Sequence, residues 1–245
     1  FAAMIDVPAL IIGLTHVESY ETLPQNIVLG SETASTVSSR GVYKFPVQKG
    51  ASVMYDDHQC SGYDVECCSW SNLPDEDFAL ADDYDWTIGQ FVWTGFDYLG
   101  EPSPYSTDSW PSHSSVFGII DLASLPKTVS ICTAAMEQAG KYLACPSALD
   151  VAGQEGENTP VFVYTSYPSA ELFVNGKSYG KQRKLTADES RALEGQDSLA
   201  LQRRYRLMWM DVPYEAVVDN RLVAADHAAT LKLLHARLHG GHGQA

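Results

Sequence analysis

The segment Ile27-Val-Leu-Gly-Ser-Glu32-Thr33-Ala34-Ser35 limits the possible folds more than any other stretch of the chain. An apolar run stops in small residues, and a single carboxylate stands directly after it. Short apolar runs bounded by turn residues read as strands buried on both faces, the kind found in parallel sheets covered by helices. Two further segments read the same way: Met4-Ile-Asp-Val7, and Thr87-Ile-Gly-Gln-Phe-Val-Trp93, which is apolar on both faces near its end. Between the second and third of these strands runs a polar, Gly- and Ser-rich excursion over residues 37–71. A helix is expected over residues 75–85, with Asn72 or Asp75 as N-cap and acids in its first turn. Strand, long loop, helix, strand is the grammar of an α/β barrel. In that fold the loops after the strands carry the chemistry, so Glu32 and whatever follows Trp93 would share one face.

After Lys127 the pattern changes. Thr159-Pro-Val-Phe-Val-Tyr-Thr165 alternates, and Ala170-Glu-Leu-Phe-Val174 runs into Asn175-Gly176, the strongest short hairpin signal. Residues 178–183 form the return strand, 184–197 a helix-prone polar insertion, and 205–211 alternate again. These signals predict a small antiparallel β-sandwich. Residues 217–245 lose the pattern. Their His235, His239 and His242 lie near or among glycines and read as a tail, not as a metal site.

The net charge of −15 is concentrated: residues 50–125 hold 14 Asp and Glu and no Lys or Arg, and the rest is close to neutral. Four of the five tryptophans, Trp70, Trp86, Trp93 and Trp110, lie in the same segment. Acid with aromatics repels phosphate backbones, which argues against nucleic acid, and suits a neutral polyhydroxylated ligand. The acids also read as the solvated side of a helix. No apolar run approaches the ~20 residues of a membrane span. The five cysteines, Cys60, Cys67, Cys68, Cys132 and Cys145, contain no CxxC pair, so neither zinc nor a disulfide framework is indicated. The first residues offer no initiator methionine, basic n-region or cleavage site, and a fragment is expected.

Hydrolysis of a glycosidic bond needs two carboxylates flanking the scissile bond. Glu32 follows a strand beside Gly30, Ser31 and Ala34, small residues that let a substrate approach, although position alone also fits an ordinary loop acid. Trp93 closes the next strand, where an indole face can stack on a pyranose or simply pack in a core. Asp97 and Glu101 follow in a loop whose acids can hydrogen-bond sugar hydroxyls.

The strings at residues 27–35, Phe91-Val-Trp-Thr-Gly-Phe-Asp-Tyr-Leu-Gly-Glu-Pro102 and Phe117-Gly-Ile-Ile-Asp-Leu-Ala-Ser-Leu-Pro-Lys127 closely resemble glycoside hydrolase family 2, and among its members the β-galactosidases of Bacteroidota. Val161-Phe-Val-Tyr-Thr165 and Glu171-Leu-Phe-Val-Asn-Gly-Lys-Ser178 resemble the immunoglobulin-like domain that follows the catalytic barrel there. The resemblance covers residues 26–127 and 155–214. It implies strands six to eight of a (β/α)8 TIM barrel over residues 1–127, a disrupted connector over 128–156, an Ig-like β-sandwich over 157–216 and a degraded or disordered tail over 217–245. It implies retaining hydrolysis of terminal β-D-galactosides with Glu32 as nucleophile. Trp93 would be the sugar platform, and Asp97 and Glu101 would bind substrate. The implied partner is a β-galactoside oligosaccharide. No cofactor is required, though a divalent metal or sodium ion is open for the complete enzyme, and a periplasmic or secreted location is suggested. Family 2 also holds β-glucuronidases and β-mannosidases, and a non-catalytic carbohydrate-binding module is the other class of reading. Residues 50–125 offer no base to receive a glucuronide carboxylate.

Three departures stand against the family pattern. Its acid/base glutamate, which follows an asparagine on the fourth strand, has no counterpart here, so the chain alone is expected to be inactive. Pro8-Ala-Leu-Ile-Ile-Gly13 replaces a Gly-x-Asn-Tyr-Arg-like strand end, removing a tyrosine that would contact the nucleophile. Residues 128–154 lack the family's helix and Trp-rich segment. Back-translation of residues 8–13 and 128–154 in a shifted phase gives family-like sequence, as small insertions or deletions in the gene would produce.

Overall fold

The computed structural model describes residues 4, 6–11, 21–22, 27–51, 55–105, 110, 112–128, 143–144, 156–214, 220–224 and 230–232. Its first unit is a three-stranded parallel sheet in the order β1 (Ala9–Ile11), β2 (Val28–Ala34) and β5 (Thr87–Trp93). The excursion after β2 holds two short strands, β3 (Gly50–Ala51) and β4 (Glu66–Cys67), and leads to helix α1 (Pro74–Asp83). The third strand falls on the residues expected. The first does not: it lies at Ala9–Ile11, one step beyond Met4-Ile-Asp-Val7, inside the segment that departs from the family pattern. β2 also runs further than the apolar run suggests, carrying Glu32 within the strand instead of after it. β5 is not buried on both faces, for Ile88, Phe91 and Trp93 are exposed. Among the described residues nothing covers that side of the sheet.

Helix α1 starts with Pro74 at its first position, where the missing N–H is no loss. Leu73 is the N-cap, and its backbone N–H donates to the Glu76 carboxylate at 3.0 Å. Asn72, one of the two caps expected, instead donates through Nδ2 to Asp77 Oδ1 at 3.1 Å. The first-turn acids are therefore not a solvated face: Asp75 and Asp77 are buried. Asp77 Oδ2 accepts the Ala34 backbone N–H at 2.7 Å, which ties the helix start to the end of β2. Burial pushes the Asp77 carboxyl up to about 6 despite these bonds.

The rest of the described chain forms two antiparallel sheets. One contains β6 (Leu143–Ala144), β7 (Val161–Thr165) and β10 (Arg206–Trp209), with β7 in the middle. The other has the order β12-β11-β8-β9, from β8 (Ser169–Val174), β9 (Lys177–Arg183), β11 (Asn220–Ala224) and β12 (Thr230–Lys232). Asn175 and Gly176, at φ of 50° and 78°, make the two-residue turn of the β8–β9 hairpin as expected. The polar insertion contains α2 (Ala187–Ala192), begun by a capping box in which Thr186 Oγ1 accepts from Glu189 N and Glu189 accepts from Thr186 N. A short α3 (Gln202–Tyr205) leads into β10. β11 and β12 fall in the stretch expected as a tail. β11 pairs along the free edge of β8, so the sheet continues past residue 216. The remainder of that tail, with its three histidines, and most of the connector lie outside the described residues.

The two sheets share one core of Val161, Val163, Ala170, Leu172, Val174, Leu207, Trp209 and Val212. The alternate residues of β7 and β10 do not face water. Phe162 and Met208 pack against Tyr63, Val65 and Leu199, and Tyr164 packs with Phe78 and Tyr205. All nine residues of the two strands are buried because each face serves a different core.

Arg206 crosses between the two units. Fully buried, it pairs with the equally buried Asp75 of α1 and donates to Tyr164 Oη at 2.7 Å and to the Tyr63 carbonyl at 3.2 Å. Tyr164 in turn donates to Asp64 at 3.1 Å, and Tyr63 Oη to the Pro160 carbonyl at 2.7 Å. Removing one member of a buried pair leaves the other charge without compensation. Arg206→Met is therefore expected to destabilise the chain by about 3–5 kcal/mol in urea unfolding at pH 7.

Asp64 is buried, and burial pushes its carboxyl up to about 7 although Arg206 and Tyr164 pull it down. The folded chain then holds a proton that the unfolded chain has released between about pH 4 and pH 7. Over that range the wild type loses stability as pH rises. Asp64→Asn keeps an acceptor for Tyr164 without the charge. It should match the wild type below pH 4 and gain on it up to pH 7, by about 1–3 kcal/mol, in unfolding followed across pH.

Candidate active site

Glu32 sits in a bulge. Gly30 and Thr33 of β2 pair with Gln90 and Val92 of β5, three steps against two. On the other side Gly30 and Glu32 pair with Leu10 and Ile11 of β1, two steps against one. β2 thus carries one extra residue at Ser31-Glu32 relative to both neighbours. Such bulges re-aim a side chain and are common beside active sites. Beyond it, Ala34 pairs with Trp93, and Thr33 Oγ1 bonds the Gln90 side chain at 2.7 Å. Thr33 and Gln90 look toward α1, beside Asp77 and Leu80. With side chains alternating along each strand, Glu32, Phe91 and Trp93 belong to the opposite, open side. Glu32 is half-buried, and no hydrogen bond or ion pair from another described residue holds its carboxylate.

Trp93 ends β5 with its indole 38% exposed and meets the Tyr98 ring edge-on at 6.1 Å. Burial pushes the Tyr98 phenol up, a hydrogen bond with Trp93 pulls it down, and the Glu101 carboxylate pushes it up again. Tyr98 therefore links the indole to Glu101, which is exposed. Two of the four expected site residues, Glu32 and Trp93, border the open side of the sheet, and Glu101 is exposed in the loop after β5.

Asp97 has a different place. Its side chain is 8% exposed, and Oδ1 accepts from Lys127 Nζ at 2.8 Å and from the Gly118 N–H at 2.8 Å. Lys127 Nζ also donates to the Ser38 carbonyl at 2.8 Å and the Val116 carbonyl at 3.1 Å. One ammonium thus joins the loop after β2 to the loop after β5. Only glycine fits at 118, where a Cβ would lie 2.1 Å from the Asp97 backbone nitrogen. Burial raises the Asp97 carboxyl and lowers the Lys127 ammonium, so desolvation outweighs attraction at both ends of the pair. Asp97 supports the loop from beneath. Lys127 and Tyr98, its partners in building the site, carried no functional signal in the sequence reading. A signal existed for Lys127, the first Lys or Arg after 77 residues without one.

The two loops also share a small core of Val37, Cys60, Cys68, Tyr105 and Phe117. Cys60, Cys67 and Cys68 are thiols, and burial pushes them up to about 12, 11 and 12, which leaves them unreactive near neutral pH. Among the described residues no group of His, Cys, Asp and Glu is placed to hold a metal ion, and no helix is long and apolar enough to cross a membrane.

The chain resembles known proteins along most of its length. Residues 156–216 match a family model described as a domain of unknown function, DUF4982. The chain is 36% identical over 170 residues to β-galactosidase BoGH2A of Bacteroides ovatus, a match that takes in 66% of this chain and 19% of that protein. A crystal structure of a β-glycosidase from Bacteroides vulgatus superposes with a TM-score of 0.70 at 21% identity, over 93% of this chain and 30% of the other. That of the β-glucuronidase of Bacteroides uniformis gives 0.58 at 16% identity, over 92% and 25%. The chain therefore spans about a fifth of its curated relative and under a third of these structures.

The Asp97–Lys127 pair carries a stability prediction. Lys127→Met leaves a buried carboxylate and two carbonyls without their donor, and it is expected to cost about 3–5 kcal/mol in urea unfolding at pH 7.

Proposed function

The chain belongs to glycoside hydrolase family 2, and from that premise we propose that it is the part of a retaining β-galactosidase that carries the nucleophile, Glu32. In this reading β1, β2 and β5 are strands six, seven and eight of a TIM barrel. The two antiparallel sheets are the Ig-like sandwich that follows. The observation that carries it is the bulge in β2. It aims the Glu32 carboxylate to the open side of a parallel sheet, two residues before the position paired with Trp93. A nucleophile must reach the anomeric carbon without being neutralised by a protein cation, and no described side chain occupies Glu32.

The division of labour follows the geometry. Glu32 attacks the anomeric carbon and forms the glycosyl-enzyme, which water then hydrolyses. The Trp93 indole stacks against the apolar face of the sugar, and Tyr98 fixes the indole. Glu101, exposed beside Tyr98, accepts from sugar hydroxyls. Asp97 holds the loop that presents them. The acid/base is a glutamate on the fourth barrel strand, in the portion of the relatives that this chain does not span. The open side of β5, with Phe91 and Trp93, is where the remaining strands close the barrel.

Galactoside is favoured over glucuronide by charge. A glucuronide's carboxylate needs a free cation. The cations of the post-strand loops, Arg40, Lys44, Lys49 and Lys127, are already paired with Asp121, Asp57, Glu76 and Asp97. In the complete enzyme, Glu32→Gln should lower kcat for an aryl β-galactoside by at least about 10³-fold with KM little changed. Retained turnover would assign the nucleophile elsewhere, and galactose binding by a wild-type enzyme without turnover would make the protein a binding module.

A further inference from the structure

We propose that Asp77, on α1 beneath the sheet, is a positioning residue for the nucleophile: it holds the end of β2 in the shape that keeps Glu32 aimed at the sugar. The inference rests on the reading of Glu32 as nucleophile and adds the device that fixes its aim.

The chain leaves β2 by an unusual route. Ala34 and Ser35 have φ of 61° and 55°, in the left-handed region where a Cβ crowds the backbone and residues other than Gly, Asn and Asp are uncommon. The Ser35 N–H donates to the Thr33 carbonyl at 2.9 Å and closes the turn. Nothing in an Ala-Ser pair favours this conformation, so the surroundings impose it. They do so at Ala34. Its N–H donates to Asp77 Oδ2 at 2.7 Å, and its carbonyl accepts the Asn72 N–H at 2.9 Å. Asn72 Nδ2 donates to Asp77 Oδ1 at 3.1 Å, and the Asn72 carbonyl accepts from Thr36 Oγ1 at 3.1 Å. The start of α1 thus grips both polar backbone groups of Ala34.

Asp77 is 4% exposed, and among the described residues no Lys, Arg or His is paired with it. The charged neighbour acting on it is Glu76, of the same sign. A buried carboxylate without a cation is costly. What it makes in return is a charge-assisted bond to the backbone of the strand that carries the nucleophile. The bulge at Ser31-Glu32 fixes β2 on one side of the Glu32 side chain, and this clamp fixes it on the other. Ala34 is also the residue paired with Trp93, so the aim of the carboxylate and the place of the indole are set at one point.

Covalent labelling of the complete enzyme reads the aim directly. The reagent is a dinitrophenyl β-galactoside with fluorine in place of the hydroxyl next to the anomeric carbon. A Glu32 carboxylate oxygen bonds to the anomeric carbon, dinitrophenolate leaves with the electron pair, and the ester hydrolyses slowly enough to be located by mass spectrometry. Asp77→Ala should slow labelling at saturation at least about 10-fold, with the half-saturating concentration within about 2-fold of the wild type. Asp77→Asn keeps a neutral acceptor and should return the rate to within about 3-fold of the wild type. Asn72→Ala, a milder change, should slow labelling at least about 3-fold. Asp83→Ala releases the far end of α1 from Arg191 and Arg204 and should leave the rate unchanged. Labelling of Asp77→Ala at the wild-type rate, or of Asn72→Ala at that rate where Asp77→Ala does not fold, would overturn the positioning role. So would equal slowing in Asp83→Ala. Labelling of the wild type at another carboxylate would overturn the nucleophile reading and this inference with it, whereas fast labelling of Glu32 in Asp77→Ala overturns this inference alone.

Discussion

The buried contact between Arg206 and Asp75 is the constraint on which the rest of the arrangement depends. An arginine withdrawn from water costs several kcal/mol unless its charge is compensated, and here the compensating carboxylate, Asp75, reaches it only if α1 lies across β10. Asp75 is in the first turn of α1, and two residues later Asp77 accepts from the backbone of Ala34. One turn of helix therefore connects the middle of the C-terminal sheets to the end of the strand that carries Glu32. The double burial of β7 and β10 follows from the same contact, since Phe162, Met208 and Tyr164 are covered by the residues that surround Asp64 and Asp75. The C-terminal sheets are in this sense the foundation of the site, though none of their residues lines it.

What was legible in the sequence was what local chemistry decides. Asn175-Gly176 specifies its hairpin because the turn needs positive φ at both positions. β5 is announced by its own apolar run, and α1 by the three acids in its first turn. The bulge at Ser31-Glu32 is a relation between β2 and two strands distant in sequence, and nothing in nine contiguous residues encodes it. The same holds for β7 and β10. Their alternation fits one buried face and one wet face equally well until a second core is found against the outer side. β11 has no legible pattern because its place comes from backbone pairing along β8.

The site divides along the same line. Glu32 and Trp93 were legible as candidates because they stand at the ends of apolar runs, which can be found from the sequence. Asp97 was legible as an acid but not in its role. The residue that decides the role, Lys127, is 30 positions away, and contact with it turns an expected ligand into a support. Acid-rich loops with few bases tend to be read as repulsive surfaces. Here one buried ammonium receives a carboxylate and two carbonyls and makes the two loops a single body.

That consolidation has a consequence for selectivity. A loop pair held together by its own ion pairs can line a cavity with serines and histidines without leaving a net field inside it. Arg40 with Asp121 and Lys127 with Asp97 cancel locally, while the wider segment remains strongly acidic. In the galactosidase reading proposed above, an anionic sugar meets an acidic surround and no unpaired Lys or Arg among the described residues of these loops, whereas a neutral sugar meets hydrogen-bonding groups. The pairs that fix the loops are then also the ones that leave no cation for an anionic ligand.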